Sequence, residues 1–285
     1  MKKLDQRGSH IVVVLIVIVV LAAVGFVGWR VVTKKDTKQN ASTSSTPSSD
    51  TKIQAETSNV TWEWMGSEWK ASGTPPACPK PLALSQSPTD VSKATNILYP
   101  GQARGGDYKP HGGFRFDNSI NTEITIKIPM DAKLYEGSRY IEGGEAQYLL
   151  VFVNPCGLMY RFDHLLTLND KFQKAVEATL PVAKPDDSRT TKFDPQISVT
   201  AGETVATAVG FSKTKNVAFD FGVYDLRQRN TAAQDSSYVS KHQNELSQVA
   251  YGVCWFELLP AKDADIVRSL PAGDSASGKT SDYCK

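Results

Sequence analysis

Tyr148-Leu-Leu-Val-Phe-Val-Asn-Pro-Cys-Gly-Leu-Met-Tyr-Arg-Phe-Asp-His-Leu-Leu-Thr-Leu168 is the stretch whose reading decides the fold class. Tyr148 to Val153 is an unbroken apolar run with β-branched and aromatic residues, which suits a buried strand. Asn154-Pro-Cys-Gly157 is a strong turn signal, and the chain resumes as a strand from Leu158 to Leu168. Outward from this hairpin the β signal continues. Ile124-Thr-Ile-Lys-Ile128 alternates with a period of two, and Ile197–Val199, Thr204–Val209 and Val217–Tyr224 add short strands. The whole stretch from Leu98 to Asp225 reads as β. No alternation of strands with helices appears, so an open parallel sheet is excluded in favour of a mostly β, antiparallel domain. Helix returns only near the end. Ser236 to Tyr251 carries Leu246, Val249 and Ala250 on one stripe, and Asp263 is placed to cap a short helix ending near Leu270-Pro271.

Ahead of the β region lie two other compositions. Ile11 to Trp29 is nineteen residues without a charge, long enough as a helix to approach the ~30 Å hydrocarbon core of a bilayer. Trp29 and Arg30 end it in the manner of a membrane interface. The run is too long for a signal peptide and no small-residue cleavage site follows. A prepilin-like leader lacks its glutamate, since Val13 stands in that position. The expectation is an uncleaved single span over residues 11–32, behind a cytoplasmic tail of residues 1–10. Residues 33–59 are rich in Ser, Thr, Lys and Asn and read as a flexible linker.

Charge and cysteines narrow the class. Residues 1–59 hold eight Lys/Arg and four Asp/Glu, leaving 24 basic and 26 acidic residues in the remainder. A domain with a balance of −2 has no general attraction for nucleic acid. Cys78, Cys156, Cys254 and Cys284 all follow the apolar run and form no CxxC pair, which argues against a zinc ribbon and for two disulfides in an oxidising compartment. Three connectivities exist; Cys254–Cys284 as a C-terminal clasp and Cys78–Cys156 are favoured. Trp62, Trp64 and Trp69 mark an N-terminal extension over residues 60–97, where packing on a core is preferred to sugar stacking.

Several landmarks between Leu98 and Tyr224 occur in an order that resembles the lysostaphin/LytM-type peptidoglycan endopeptidases, a zinc metallopeptidase family. His111-Gly-Gly-Phe-Arg-Phe resembles the family's His-x-Gly-Ile-Asp-Phe. Tyr148–Val153 followed by Tyr160-Arg-Phe-Asp-His-Leu165 resembles its hairpin ending in Tyr-x-His-Leu. Ile128-Pro-Met-Asp-Ala-Lys-Leu134 and Val199-Thr-Ala-Gly-Glu-Thr-Val-Ala-Thr-Ala-Val-Gly210 resemble two more of its strands. Ala218-Phe-Asp-Phe-Gly-Val223 falls where the family has His-Leu-His-Phe-Glu-Val.

The resemblance implies a LytM-type β-sandwich over residues 98–230, followed by a helical, disulfide-bearing extension over residues 231–285. It also implies which side chains matter. The family holds zinc by His-x-x-x-Asp and by the second histidine of His-x-His, leaving a position for the attacking water. Here His111 keeps the first ligand position, Arg115 replaces the aspartate, Asp220 replaces the second histidine and Ala218 replaces the first. Of the catalytic histidines only His164 is kept. A guanidinium cannot coordinate a metal, and a like charge at 4 Å costs roughly 4 kcal/mol at an effective dielectric of 20. Asp117 is two residues too far along an extended strand to substitute without a bulge. His10 and His242 read as structural or solvated.

The implied protein is single-pass in the cell membrane, with its β domain outside the cytoplasm, and inactive as a peptidase. Its expected role is to bind or regulate at the cell wall, with peptidoglycan or a wall protein as partner and no cofactor. The alternative is a zinc-dependent peptidoglycan endopeptidase with rearranged ligands; a pilin-like surface subunit is a third reading. If the fold is kept, an Arg115–Asp220 ion pair is expected where the metal would sit, with His111 beside it.

Overall fold

A computed structural model describes residues 59–285. The expected tail, span and linker, up to residue 58, and His10 therefore lie outside the described residues. A hairpin of β1 (Trp62–Trp64) and β2 (Trp69–Ala71) comes first. It is followed by β3 (Asn96–Leu98), the small hairpin β4 (Gln102–Arg104) and β5 (Asp107–Lys109), then β6 (Gly112–Arg115) and β7 (Ile126–Lys127). Three long strands form the centre: β8 (Ala132–Glu142), β9 (Glu145–Val153) and β10 (Leu158–Leu168). Helix α1 (Asp170–Thr179) separates them from β11 (Lys184–Pro185), β12 (Thr191–Val199), β13 (Thr204–Val209) and β14 (Ala218–Asp225). Short helices α2 (Ser236–Lys241), α3 (Leu246–Val249) and α4 (Ala261–Ser269) end the chain.

Ten strands make one sheet, with the path β11-β8-β9-β10-β14-β6-β3. Every pairing is antiparallel except β11 on β8. The sheet branches because β10 changes partner along its length: Leu158–Asp163 pair with β14, and Leu165–Leu168 pair with β13. β12 joins β8, and β7 joins β13. At one end β11 is two residues long and includes Pro185. At the other, Ile97 of β3 donates to the Pro271 carbonyl and accepts from the Gly273 amide.

The unbroken apolar run of β9 has a structural reason. Leu150 and Phe152 point into the main core, while Leu149, Val151 and Val153 point into a second cluster on the opposite face. A strand covered on both sides needs no polar alternation. The main core is aromatic, with Phe114, Phe116, Phe162, Phe219 and Phe221 fully buried together with Trp255. The second cluster includes Trp62, Trp69, Tyr135 and Tyr251, so the tryptophans of the N-terminal hairpin pack rather than stand free. Residues from both flanking segments, among them Val91 and Val267, belong to the main core. The disulfides are Cys78–Cys156 and Cys254–Cys284.

Four expectations on secondary structure are corrected. The β reading across 98–225 misses α1, which is capped by Asn169 and buries only Phe172 and Val176. The alternating 124–128 segment pairs only at Ile126–Lys127. The helix expected over 236–251 is broken at His242, where the backbone leaves the helical region and a 3-10 turn intervenes before α3. Asp263 lies inside the first turn of α4, whose flanking residue is Pro260; its carboxylate accepts from the Ser87 hydroxyl at 2.5 Å.

Candidate functional site

His111 enters β6, and two glycines shape the space it occupies. The strand pair β6–β14 sets Gly113 opposite Asp220 and Arg115 opposite Ala218. Alternation sends Phe114, Phe219 and Phe221 to the core and turns Gly113, Arg115, Ala218 and Asp220 to the other face. A Cβ at Gly113 would lie 3.0 Å from Asp220 Oδ1, and one at Gly222 would lie 2.9 Å from the His111 Cβ. With both side chains absent, His111 Nε2 reaches Asp220 Oδ2 at 2.9 Å. Arg104 anchors the backbone behind it, donating to the carbonyls of Tyr99 and His111 at 2.8 and 3.1 Å.

His164 arrives by a different device. Asp163 pairs directly with Asp220 across β10 and β14, and the pairing of β10 with β9 shifts between Phe162 and Leu165. Phe162 and Leu165 are both core residues, so two residues bulge out between two inward ones. His164 takes φ +59°, a left-handed conformation uncommon for a residue with a Cβ. Its Nε2 thereby lies 3.8 Å from Asp220 Oδ2, and its Nδ1 lies 3.4 Å from the Tyr140 hydroxyl and 3.8 Å from Glu142 Oε2. Asp163 is fully engaged. It accepts from Arg161 at 2.5 Å, from the Tyr140 hydroxyl at 2.7 Å and from the His164 amide at 2.9 Å.

These groups floor a cleft of about 630 Å³, walled on one side by Asn244, Glu245, Ser247 and Gln248 and on another by Ser188–Thr190. Gln248 connects the wall to the floor, its Oε1 accepting from the Tyr224 hydroxyl at 3.1 Å. Burial pushes the His111 imidazole down to about 4, helped by Arg161 and opposed by Asp220. Burial alone would raise Asp220, but His111, His164 and Arg104 hold its carboxyl below the usual carboxylate range. The resting state is therefore a neutral imidazole donating to an ionised carboxylate. His111 Nδ1 is buried and has no partner among the described residues.

Of the sequence-derived residues, the structure brings His111, Asp220 and His164 together and leaves Arg115 out. The expected Arg115–Asp220 ion pair is not formed. Arg115 turns along its own strand to Asp117 at 3.4 Å, in a half-exposed position. Desolvating a guanidinium costs several kcal/mol, whereas His111 is already buried and reaches Asp220 as a neutral donor. Asp117 does not replace the missing ligand either: it is exposed and accepts from the Thr95 hydroxyl at 3.1 Å. The LytM ligand set does not fit this site, because the second ligand is a cation that has left the cleft. A different group of donors, on Asp163, His164 and Asp220, lies within 4.8 Å of one another, although Asp163 is already committed to three donors. Sequence reasoning missed Arg161, Tyr140 and Gln248, and also Asp163. Asp163 and Arg161 carried a visible signal, two charges alternating within an otherwise apolar strand.

No protein-family model matches the chain, and a search of curated proteins returns no match.

Proposed function

We propose that this chain is a membrane-tethered, extracytoplasmic binding or regulatory module for cell-wall peptide, built on a LytM-like scaffold that no longer hydrolyses its ligand. The observation that carries this reading is the His111–Asp220 hydrogen bond at the cleft floor. It joins β6 and β14, where the resembling enzymes use a metal, and it leaves an ionised carboxylate and a buried imidazole facing a polar cleft. Four further facts support it. β6, β14 and β10 are neighbours in the sheet, and His111, Asp220 and His164 line one cleft. Ala218 supplies no general base. Two disulfides suit an oxidising compartment. The cleft offers both signs of charge, Arg161 and Lys109 against Glu142 and Glu245, which matches the alternating amines and carboxylates of a short peptide.

A second reading, the peptidase with rearranged ligands, draws on one observation: the Nε2 atoms of His111 and His164 both converge on Asp220 Oδ2, at 2.9 and 3.8 Å. One experiment separates the two. The full chain, purified in detergent, is incubated with isolated cell-wall sacculi and with zinc. Co-sedimentation that weakens in Asp220→Ala, with no newly released peptide ends, is the expected result. Stoichiometric zinc with cleavage of the wall peptide would establish the peptidase, and failure to sediment would reject both.

A further inference from the structure

A second cavity, of about 590 Å³, lies between the β4–β5 hairpin, α2 and the C-terminal segment, and Tyr108 lines both it and the cleft. One wall is aromatic. The His242 ring stands 4.1 Å from that of Tyr108 and 4.8 Å from that of Tyr238, and the two tyrosine rings meet edge to face at 5.9 Å. His242 is thus held between rings rather than on a solvated helix face, because the helix breaks at that residue. The rim is polar. Tyr108 donates to Asp282 at 2.9 Å and lies 2.7 Å from the Tyr238 hydroxyl, and Lys241 is exposed. Gln102, only 3% exposed, lines the same cavity; its Nε2 donates to the Thr280 carbonyl at 2.7 Å, and its Oε1 has no partner.

Chemistry narrows the occupant. A phosphate or other strong anion would meet one lysine beside the carboxylates of Asp235 and Asp282, not a cluster of cations. A wholly apolar ligand would take water from the Asp235 and Asp282 carboxylates and from Lys241 and offer no hydrogen bond in return. A pyranose ring presents C–H faces to aromatic rings and hydroxyls to acceptors at its edge, and a cavity of this size holds about one to two such rings. We propose that this cavity is a saccharide site for a neutral oligosaccharide, adjoining the cleft across Tyr108. It does not depend on the peptide-binding reading, since it shares no Asp220, His111 or His164.

Calorimetric titration of the full chain with an N-acetylglucosamine tetramer tests it. Saturable binding is expected, weakened about tenfold in His242→Ala and in Asp282→Asn, a difference well within calorimetric range. Glu142→Gln, in the cleft, should bind the tetramer as the parent does. If His242→Ala lowers the melting temperature, the conservative Asp282→Asn decides alone. Absence of saturable binding, equal affinity in the Asp282→Asn variant, or a loss on Glu142→Gln would overturn the proposal. Sacculus binding that survives Asp282→Asn would leave the peptide cleft standing and separate the two sites.

Discussion

His111 and His164 reach one carboxylate by opposite routes, and each route has a measurable signature. His164 holds φ +59°, a conformation that costs a residue with a Cβ roughly 1–2 kcal/mol. His164→Gly is expected to be more stable than His164→Ala by about 1 kcal/mol, read as the difference in urea midpoints; equal stabilities would mean that the bulge relaxes. His111 carries a pH signature. Its native imidazole resists protonation down to about 4, while the unfolded one takes a proton near 6.5. The unfolded chain thus binds more protons between those values, so stability should fall as the pH drops from about 6.5 towards 4. His111→Gln should flatten that part of the profile in unfolding experiments at pH 7 and pH 5. Which residues would meet was legible in part. The resemblance implies that His111, Asp220 and His164 belong to one site, whereas alternation alone would send His164 to the core beside Phe162. Neither foretells that Arg115 prefers Asp117, because pairing depends on desolvation and reach, which spacing does not encode. Nor does alternation anticipate the bulge that swings His164 outward.

The cleft's wall hangs from the N-terminal hairpin. Trp69 donates through Nε1 to the Ser247 carbonyl at 2.8 Å, and Ser247 precedes Gln248, which meets Tyr224 and lies 3.4 Å from Arg161. Trp69→Phe keeps most of the apolar contact but removes the donor. It should cost about 1 kcal/mol and raise amide exchange across residues 243–249, measured by mass spectrometry, with the β9–β10 hairpin unchanged. Protection of 243–249 equal to that of the parent would assign the wall's order to other contacts. At this scale β9 was plain in the sequence, since burial on both faces imposes continuous apolarity, and β10 followed from the turn at 154–157 and the apolar residues that resume after it. Helix α1 was hidden by its economy. Phe172 and Val176 are its two fully buried anchors, one turn apart, and only the Asn169 cap and that spacing betray it. The break at His242 was invisible as well, because its ring is held by Tyr108 from a hairpin more than a hundred residues away.

Taken whole, the described chain is closed by its two disulfides. Tyr283, next to Cys284, fills the space above Gly101 and Gly252, where a Cβ would come within 2.9 and 2.4 Å of its ring, and donates to the Val249 carbonyl at 2.9 Å. The Cys254–Cys284 loop spans 30 residues, for which chain entropy gives about 3–4 kcal/mol. The double variant Cys254→Ser, Cys284→Ser is expected to lose stability of that order in chemical unfolding and to become susceptible to proteolysis after residue 273. A loss confined to a few tenths of a kcal/mol would show that Tyr283 holds the terminus unaided. That the four cysteines form two disulfides was readable from their number and isolation, and of three possible connectivities the favoured one is formed, whereas the docking of the terminus depends on glycines far away in sequence. The two ends of the sheet path have a further consequence. An uncovered outer strand offers a row of amides and carbonyls on which a foreign chain can add a strand of its own. Here one end stops after two residues at a proline, and the other is already occupied by Pro271 and Gly273. Neither end of the path is thus a template for backbone zippering, which leaves β12, paired only with β8 among the described strands, as the longer edge open to a foreign chain.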